Sequence, residues 1–147
     1  MRRAGDFGRV TEFLGFVLSG DTYAVPIHYV AEILRVGTVT PVPRSPHKVI
    51  GIMSVRGTLV TVVDLRRHMR LVEGPIDARS RILLVDGGGD EQVGVLVDEV
   101  LQVYRLGEGQ IEPSSALGGD QPPHIAGIGR VDGTFLVLLD FRHVVGT

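Results

Sequence analysis

Gly51-Ile52-Met53-Ser54-Val55-Arg56-Gly57-Thr58-Leu59-Val60-Thr61-Val62-Val63-Asp64-Leu65-Arg66-Arg67-His68 is the stretch on which the fold turns. It reads as an apolar strand, a Gly-Thr turn, a second apolar strand, and an aspartate placed to cap a short helix. Shifted by 76 residues, it lies over Gly127–Val144. The pairs Gly51/Gly127, Ile52/Ile128, Val55/Val131, Gly57/Gly133, Thr58/Thr134, Asp64/Asp140 and Arg66/Arg142 are then identical, seven of eighteen, and five more exchange one apolar residue for another. Turn glycine, threonine and capping aspartate recurring at fixed spacing point to a repeated β unit.

Working outward, a shift of 67 lays Val30-Ala31-Glu32-Ile33-Leu34 over Val97-Asp98-Glu99-Val100-Leu101, which extends the repeat to units of about 12–70 and 80–145 joined by Leu71–Arg79. Candidate strands are Glu12–Leu18, Thr22–Val25, Val49–Val55, Leu59–Val63, Arg81–Val85, Gln92–Val97, Leu101–Tyr104, Ile125–Val131 and Phe135–Leu139. The links Ser19-Gly20-Asp21, Arg56-Gly57-Thr58, Asp86 to Asp90 and Asp132-Gly133-Thr134 have hairpin chemistry. Helical signal is confined to His28–Leu34, Asp64–Met69 and Asp140–Val145. Ile82-Leu83-Leu84-Val85 and Phe135-Leu136-Val137-Leu138-Leu139 are apolar without alternation, as expected of strands buried on both faces where two small barrels pack. The chain holds 23 Val against 6 Ala, with 20 Gly and 8 Pro, a balance that favours pleated sheet and turns over helix. The fold class is all-β, and units this small need a shared interface to bury enough apolar area.

Composition also excludes functions. With 44% hydrophobic and 22% charged residues the chain has material for a real core. A net charge of -2 and 5% aromatic residues argue against a nucleic-acid surface. The absence of cysteine removes disulfides, thiol nucleophiles and cysteine-based zinc sites. Residues 1–10 lack the apolar core of a signal peptide and are read as a flexible N-terminus before a domain over 11–147. No apolar run is long enough to span a bilayer, so a cytoplasmic protein without membrane insertion is expected. No Gly-x-Ser-x-Gly elbow, P-loop or His-Glu-x-x-His occurs, and the glycines 87–89 lack a following Lys-Ser/Thr. Asp64 with His68, and Asp140 with His143, each offer two metal-capable groups, too few for a tight site, and neither a metal nor another cofactor is expected.

The order of motifs resembles the CheW family of bacterial chemotaxis coupling proteins. Glu12-Phe13-Leu14-Gly15-Phe16 and Gly20-Asp21-Thr22-Tyr23-Ala24-Val25-Pro26-Ile27 resemble its first hairpin, and Val30-Ala31-Glu32-Ile33 its Val-x-Glu-Ile segment. Gly51 to Leu65 resembles the signature Gly-x-x-Asn-Leu-Arg-Gly-x-x-x-Pro-x-x-Asp-Leu, with Ser54 and Val55 for Asn-Leu and Thr61 for Pro. Gly94-Val95-Leu96-Val97-Asp98 and Gly127-Ile128-Gly129 follow in order.

The resemblance implies two five-stranded SH3-like barrels with the chain passing between them. It also implies a non-catalytic adaptor that binds the regulatory domain of a CheA-type histidine kinase and the cytoplasmic signalling tip of chemoreceptors, in arrays at the inner membrane. Carried over by position, the partner-binding residues would be Glu32 and Arg56 as a charge pair, with Gly51, Gly57, Val30, Ile33 and Val95 around them. From the residues alone, Arg56 also fits a solvated turn, and Val30, Ile33 and Val95 also fit ordinary core. Two alternatives stand beside the adaptor: a CheW-like part of a larger CheA or CheV protein, and a small β-barrel module unrelated to chemotaxis.

Overall fold

Three two-residue turns organise the chain. Ser19-Gly20, Arg56-Gly57 and Asp132-Gly133 all have positive φ at both positions, 50° and 86°, 50° and 84°, 48° and 80°. That is the twist a right-handed hairpin asks of its turn, and glycine supplies the second position without a Cβ penalty. In this computed structural model, which describes residues 10–86 and 91–145, the turns close hairpins between β1 (Val10–Leu18) and β2 (Asp21–Pro26), β4 (Val49–Val55) and β5 (Thr58–Asp64), and β10 (Ile125–Val131) and β11 (Thr134–Leu139). A fourth hairpin joins β6 (Arg81–Asp86) to β7 (Gln92–Val97). The glycines 87–89 of its connection lie outside the described residues, as does the expected flexible N-terminus up to residue 9, whereas Val10 pairs with Gly107.

The remaining strands are β3 (Val30–Arg35), β8 (Glu99–Gly107) and β9 (Ile111–Pro113). The helix expected over His28–Leu34 is not formed: a single 3-10 turn, Ile27–Tyr29, leads into β3. Val30, Glu32 and Leu34 are half-buried while Ala31, Ile33 and Arg35 are exposed, the period-2 pattern of a strand paired to β6. The two other helical segments exist as α1 (Leu65–His68) and α2 (Arg142–Val145). Asp64 caps α1 by accepting from the Arg66 amide at 2.9 Å, and Asp140 accepts from the Arg142 amide at 3.0 Å.

The strands form two sheets, β8-β1-β2-β11-β10-β9 and β3-β6-β7-β5-β4, each curled into an SH3-like barrel. Neither barrel is one repeat. β2 pairs in parallel with β11, and β7 in parallel with β5, so each barrel takes one hairpin from each half of the sequence. The exchange explains the doubly apolar strands. Met53, Val62, Ile82 and Leu96 fill one barrel, and Phe13, Ala24, Leu106, Leu136 and Leu138 fill the other. The alternate residues Leu14, Phe16, Tyr23, Val63, Leu83, Val95, Val97 and Leu139 meet in a third core between the barrels. Ile82 and Leu83, neighbours in sequence, are both fully buried because each faces a different core.

Candidate functional site

β3 and β4 are the two ends of the five-stranded sheet, so the seam of that barrel runs between them. Glu32 stands in β3, and Arg56 follows β4 at the turn. The side chains meet across the seam: Arg56 Nη1 donates to Glu32 Oε2 at 2.9 Å and Nη2 to Oε1 at 2.6 Å. Two parallel bonds of this kind fix the plane of both groups. The Arg56 side chain is 67% exposed and that of Glu32 38%, so the pair is a surface latch with its polar face open to solvent. The Arg56 hydrogen bonds hold the Glu32 carboxyl below its ordinary range, against a smaller desolvation effect, and Glu32 raises the Arg56 guanidinium in turn.

A depressed carboxylate makes its contribution above the unfolded glutamate pKa and loses it as pH falls through the lower, folded one. The latch is therefore expected to stay closed through neutral and mildly acidic pH and to open on acidification below the ordinary Glu range. The carboxyl carbon shift of Glu32, followed by NMR titration, should report a midpoint below those of exposed glutamates. A midpoint at or above theirs would contradict the bidentate pair.

The other expected site residues take different places. Gly57 forms the turn behind Arg56. Gly51 lies at a bulge in β4, where Thr40 and Ile52 form a bridge, and a Cβ there would overlap the Thr40 carbonyl. Gly127 has the same bulge and the same close approach, to Glu112 of β9. That shared crowding is the physical reason for the first identity in the repeat. Ile33 is 44% exposed beside Glu32, and Val30 is partly buried against the shared core. Val95 is 0% exposed within that core, so it offers no surface and acts on any groove only through packing.

Strand pairing also revises the equivalence read from the shift of 67. Glu32 pairs with Leu84, Leu84 with Gly94, and Gly94 with Val62. The same walk in the other barrel runs from Leu138 to Ala24 to Gly15, which falls in the bulge of β8 between Val100 and Val103. Val30 thus matches Val100, Ile33 matches Val103, and Glu32 matches Gln102, not Glu99. Both strands carry a bulge at this place, and the equivalent residues stand at a constant shift of 70, at which only the valine pair within Val30–Leu34 is identical.

Sequence reading also passed over Arg66. It is 3% exposed and grips Asp64, itself 1% exposed, through Nε at 3.0 Å and Nη2 at 2.9 Å. Its Nη1 donates to the Gly74 carbonyl at 2.8 Å and to Asp98 at 3.1 Å. Asp98 accepts from the Ser19 amide at 2.7 Å, which brings the first hairpin of the other barrel into the same network. The repeat held the signal, since Asp64/Asp140 and Arg66/Arg142 are both identities. Arg142 and Asp140 form a like pair, but Arg142 is 73% exposed and binds nothing else among the described residues. Of the two aspartate–histidine pairs considered above, His143 Nε2 lies 3.9 Å from Asp140 Oδ2. The His68 ring packs edge-on against His124, centroids 5.7 Å apart.

The sequence profile of the CheW-like domain matches residues 12–147. Protein FrzA of Myxococcus xanthus is 34% identical over 139 residues, covering 92% of this chain and 86% of that protein. Chemotaxis protein CheW of Thermotoga maritima is 26% identical over 145 residues, covering 99% and 94%. The crystal structure of scaffolding protein TtCheW from Thermoanaerobacter tengcongensis superposes with a TM-score of 0.82 at 25% identity, over 95% of this chain and 97% of that one. Sequence profile, relatives and barrel pair agree: the chain belongs to the CheW family of chemotaxis scaffold proteins.

Proposed function

We propose that this chain is a non-catalytic adaptor that couples the cytoplasmic signalling tip of chemoreceptors to a CheA-type histidine kinase, in arrays at the cytoplasmic face of the inner membrane. Family membership supports the reading. The observation that carries it is the exposed, bidentate Glu32–Arg56 latch at the seam of one barrel. Exposed ion pairs contribute little to folding, so a latch with such defined geometry is better suited to keeping a binding face in one shape. Glu32, Arg56 and Ile33 form that face, while Gly57, Gly51, Val30 and Val95 set the backbone and packing beneath it. No helix among the described residues is long and apolar enough to cross a membrane, so attachment to the array rests on protein contacts in this reading.

Capture experiments with a CheA regulatory domain and with a receptor signalling-tip fragment test the proposal. Both should be retained by the folded chain. Retention of neither would overturn the adaptor reading.

A further inference from the structure

The six-stranded barrel has an open cleft at the place where the five-stranded barrel is latched. Asp132 takes the position of Arg56 on a turn of nearly identical backbone, φ 48° against 50°, followed by Gly133 at 80° against Gly57 at 84°. Gln102 takes the position of Glu32, as the strand pairing above requires. A carboxylate and an amide thus face the gap that a carboxylate and a guanidinium close in the other barrel. Among the described residues neither the Asp132 nor the Gln102 side chain makes a hydrogen bond or ion pair. The gap between them is a cleft of about 420 Å³ with Tyr104 and Val131 in its lining.

We infer that this cleft is a binding site for an arginine side chain of a partner protein, the guanidinium bonding to the Asp132 carboxylate and the Gln102 amide oxygen. The molecule holds its own precedent, since the homologous seam is closed by a guanidinium delivered from the Arg56 position. Arginine suits the place better than lysine. Its planar fork can meet two acceptors at once and lie flat on the Tyr104 ring, with its methylenes against Val131. Arg105 is in the lining as well, and its register partner in β1 is Glu12. Val103, 42% exposed, is in the lining, and Phe135, 64% exposed, follows the lining residue Thr134 by one position. The fitting ligand is therefore an arginine between apolar residues, on a loop or hairpin tip. This contact lies on the other barrel from Glu32 and Arg56 and goes beyond the adaptor reading, on which it does not depend.

The test is a titration of the isotopically labelled full chain with acetyl-Leu-Arg-Leu-amide, and with the same peptide carrying citrulline, an uncharged isostere of arginine. The arginine peptide should shift the amide signals of Gln102, Tyr104, Gly133 and Thr134 saturably. Asp132→Asn tolerates the positive φ and keeps the fold, and it should weaken binding roughly fivefold, the scale of one solvent-accessible ion pair. Replacing the peptide arginine by citrulline should do the same. Asp120→Asn, which removes an exposed acid outside the cleft, should leave binding unchanged. No saturable shift, equal binding of the citrulline peptide, or undiminished binding by Asp132→Asn would each overturn the site. The kinase and receptor captures are separate measurements, so failure of either proposal is recognisable without the other.

Discussion

Val62→Asp is expected to abolish cooperative folding. Val62 is 0% exposed and packs with Met53, Ile82 and Leu96 inside the five-stranded barrel. Its removal forfeits about 2 kcal/mol of apolar burial. A carboxylate in its place has no partner in an apolar core and adds several kcal/mol of desolvation. The sum rivals the roughly 5–15 kcal/mol that holds a typical domain together. Because β5 also contributes Val63 to the shared core, loss of one barrel exposes the inner face of the other. Circular dichroism and amide NMR should show a chain without a cooperative thermal transition. A cooperative transition near that of the wild type would contradict the assignment of Val62 to a barrel interior.

Arg66→Ala should be the next most damaging substitution, at roughly 3–5 kcal/mol. Truncation leaves the buried Asp64 carboxylate without its two guanidinium bonds, and frees the Gly74 carbonyl and Asp98 at once. Arg66→Lys should recover little, because an ammonium cannot reproduce a fork that serves three groups. The repeat supplies the control. Arg142→Ala removes the matching but exposed pair and should leave the unfolding midpoint near that of the wild type. Urea denaturation of the three variants measures this order directly. Similar midpoints for Arg66→Ala and Arg142→Ala would show that burial does not distinguish the two copies.

Much of this arrangement was legible before any coordinates. The identities from Gly51 to Arg66 marked both hairpins, and runs such as Ile82 to Val85 marked strands with two buried faces. The strand β3 was misread because its seven-residue context has apolar residues at helical as well as strand spacing, and pairing with β6 decides between them. β9 is three residues long, too short for any periodic signal. The exchange of hairpins between barrels is a long-range matter of which edge meets which, and local sequence carries no trace of it.

At the site, Glu32 and Arg56 could be named from the family pattern, but their bidentate contact across a barrel seam needed the fold. Val95 shows the opposite limit. Its position matched a groove-lining residue, yet burial between the barrels leaves it no surface. Gln102 was hidden because, over Val30–Leu34, the shift of 67 offers more identities than the correct shift of 70, and strand register decides between them.

The central claim is that the Glu32–Arg56 latch shapes a partner-binding face and is not needed for the fold. Isothermal titration of a CheA regulatory domain into wild type and Arg56→Ala tests it most directly, with the unfolding midpoint of both measured alongside. The expected result is binding by the wild type, about tenfold weaker binding by the variant, and midpoints that nearly coincide. Equal binding by the two proteins, or weaker binding that tracks a lowered midpoint, would contradict it.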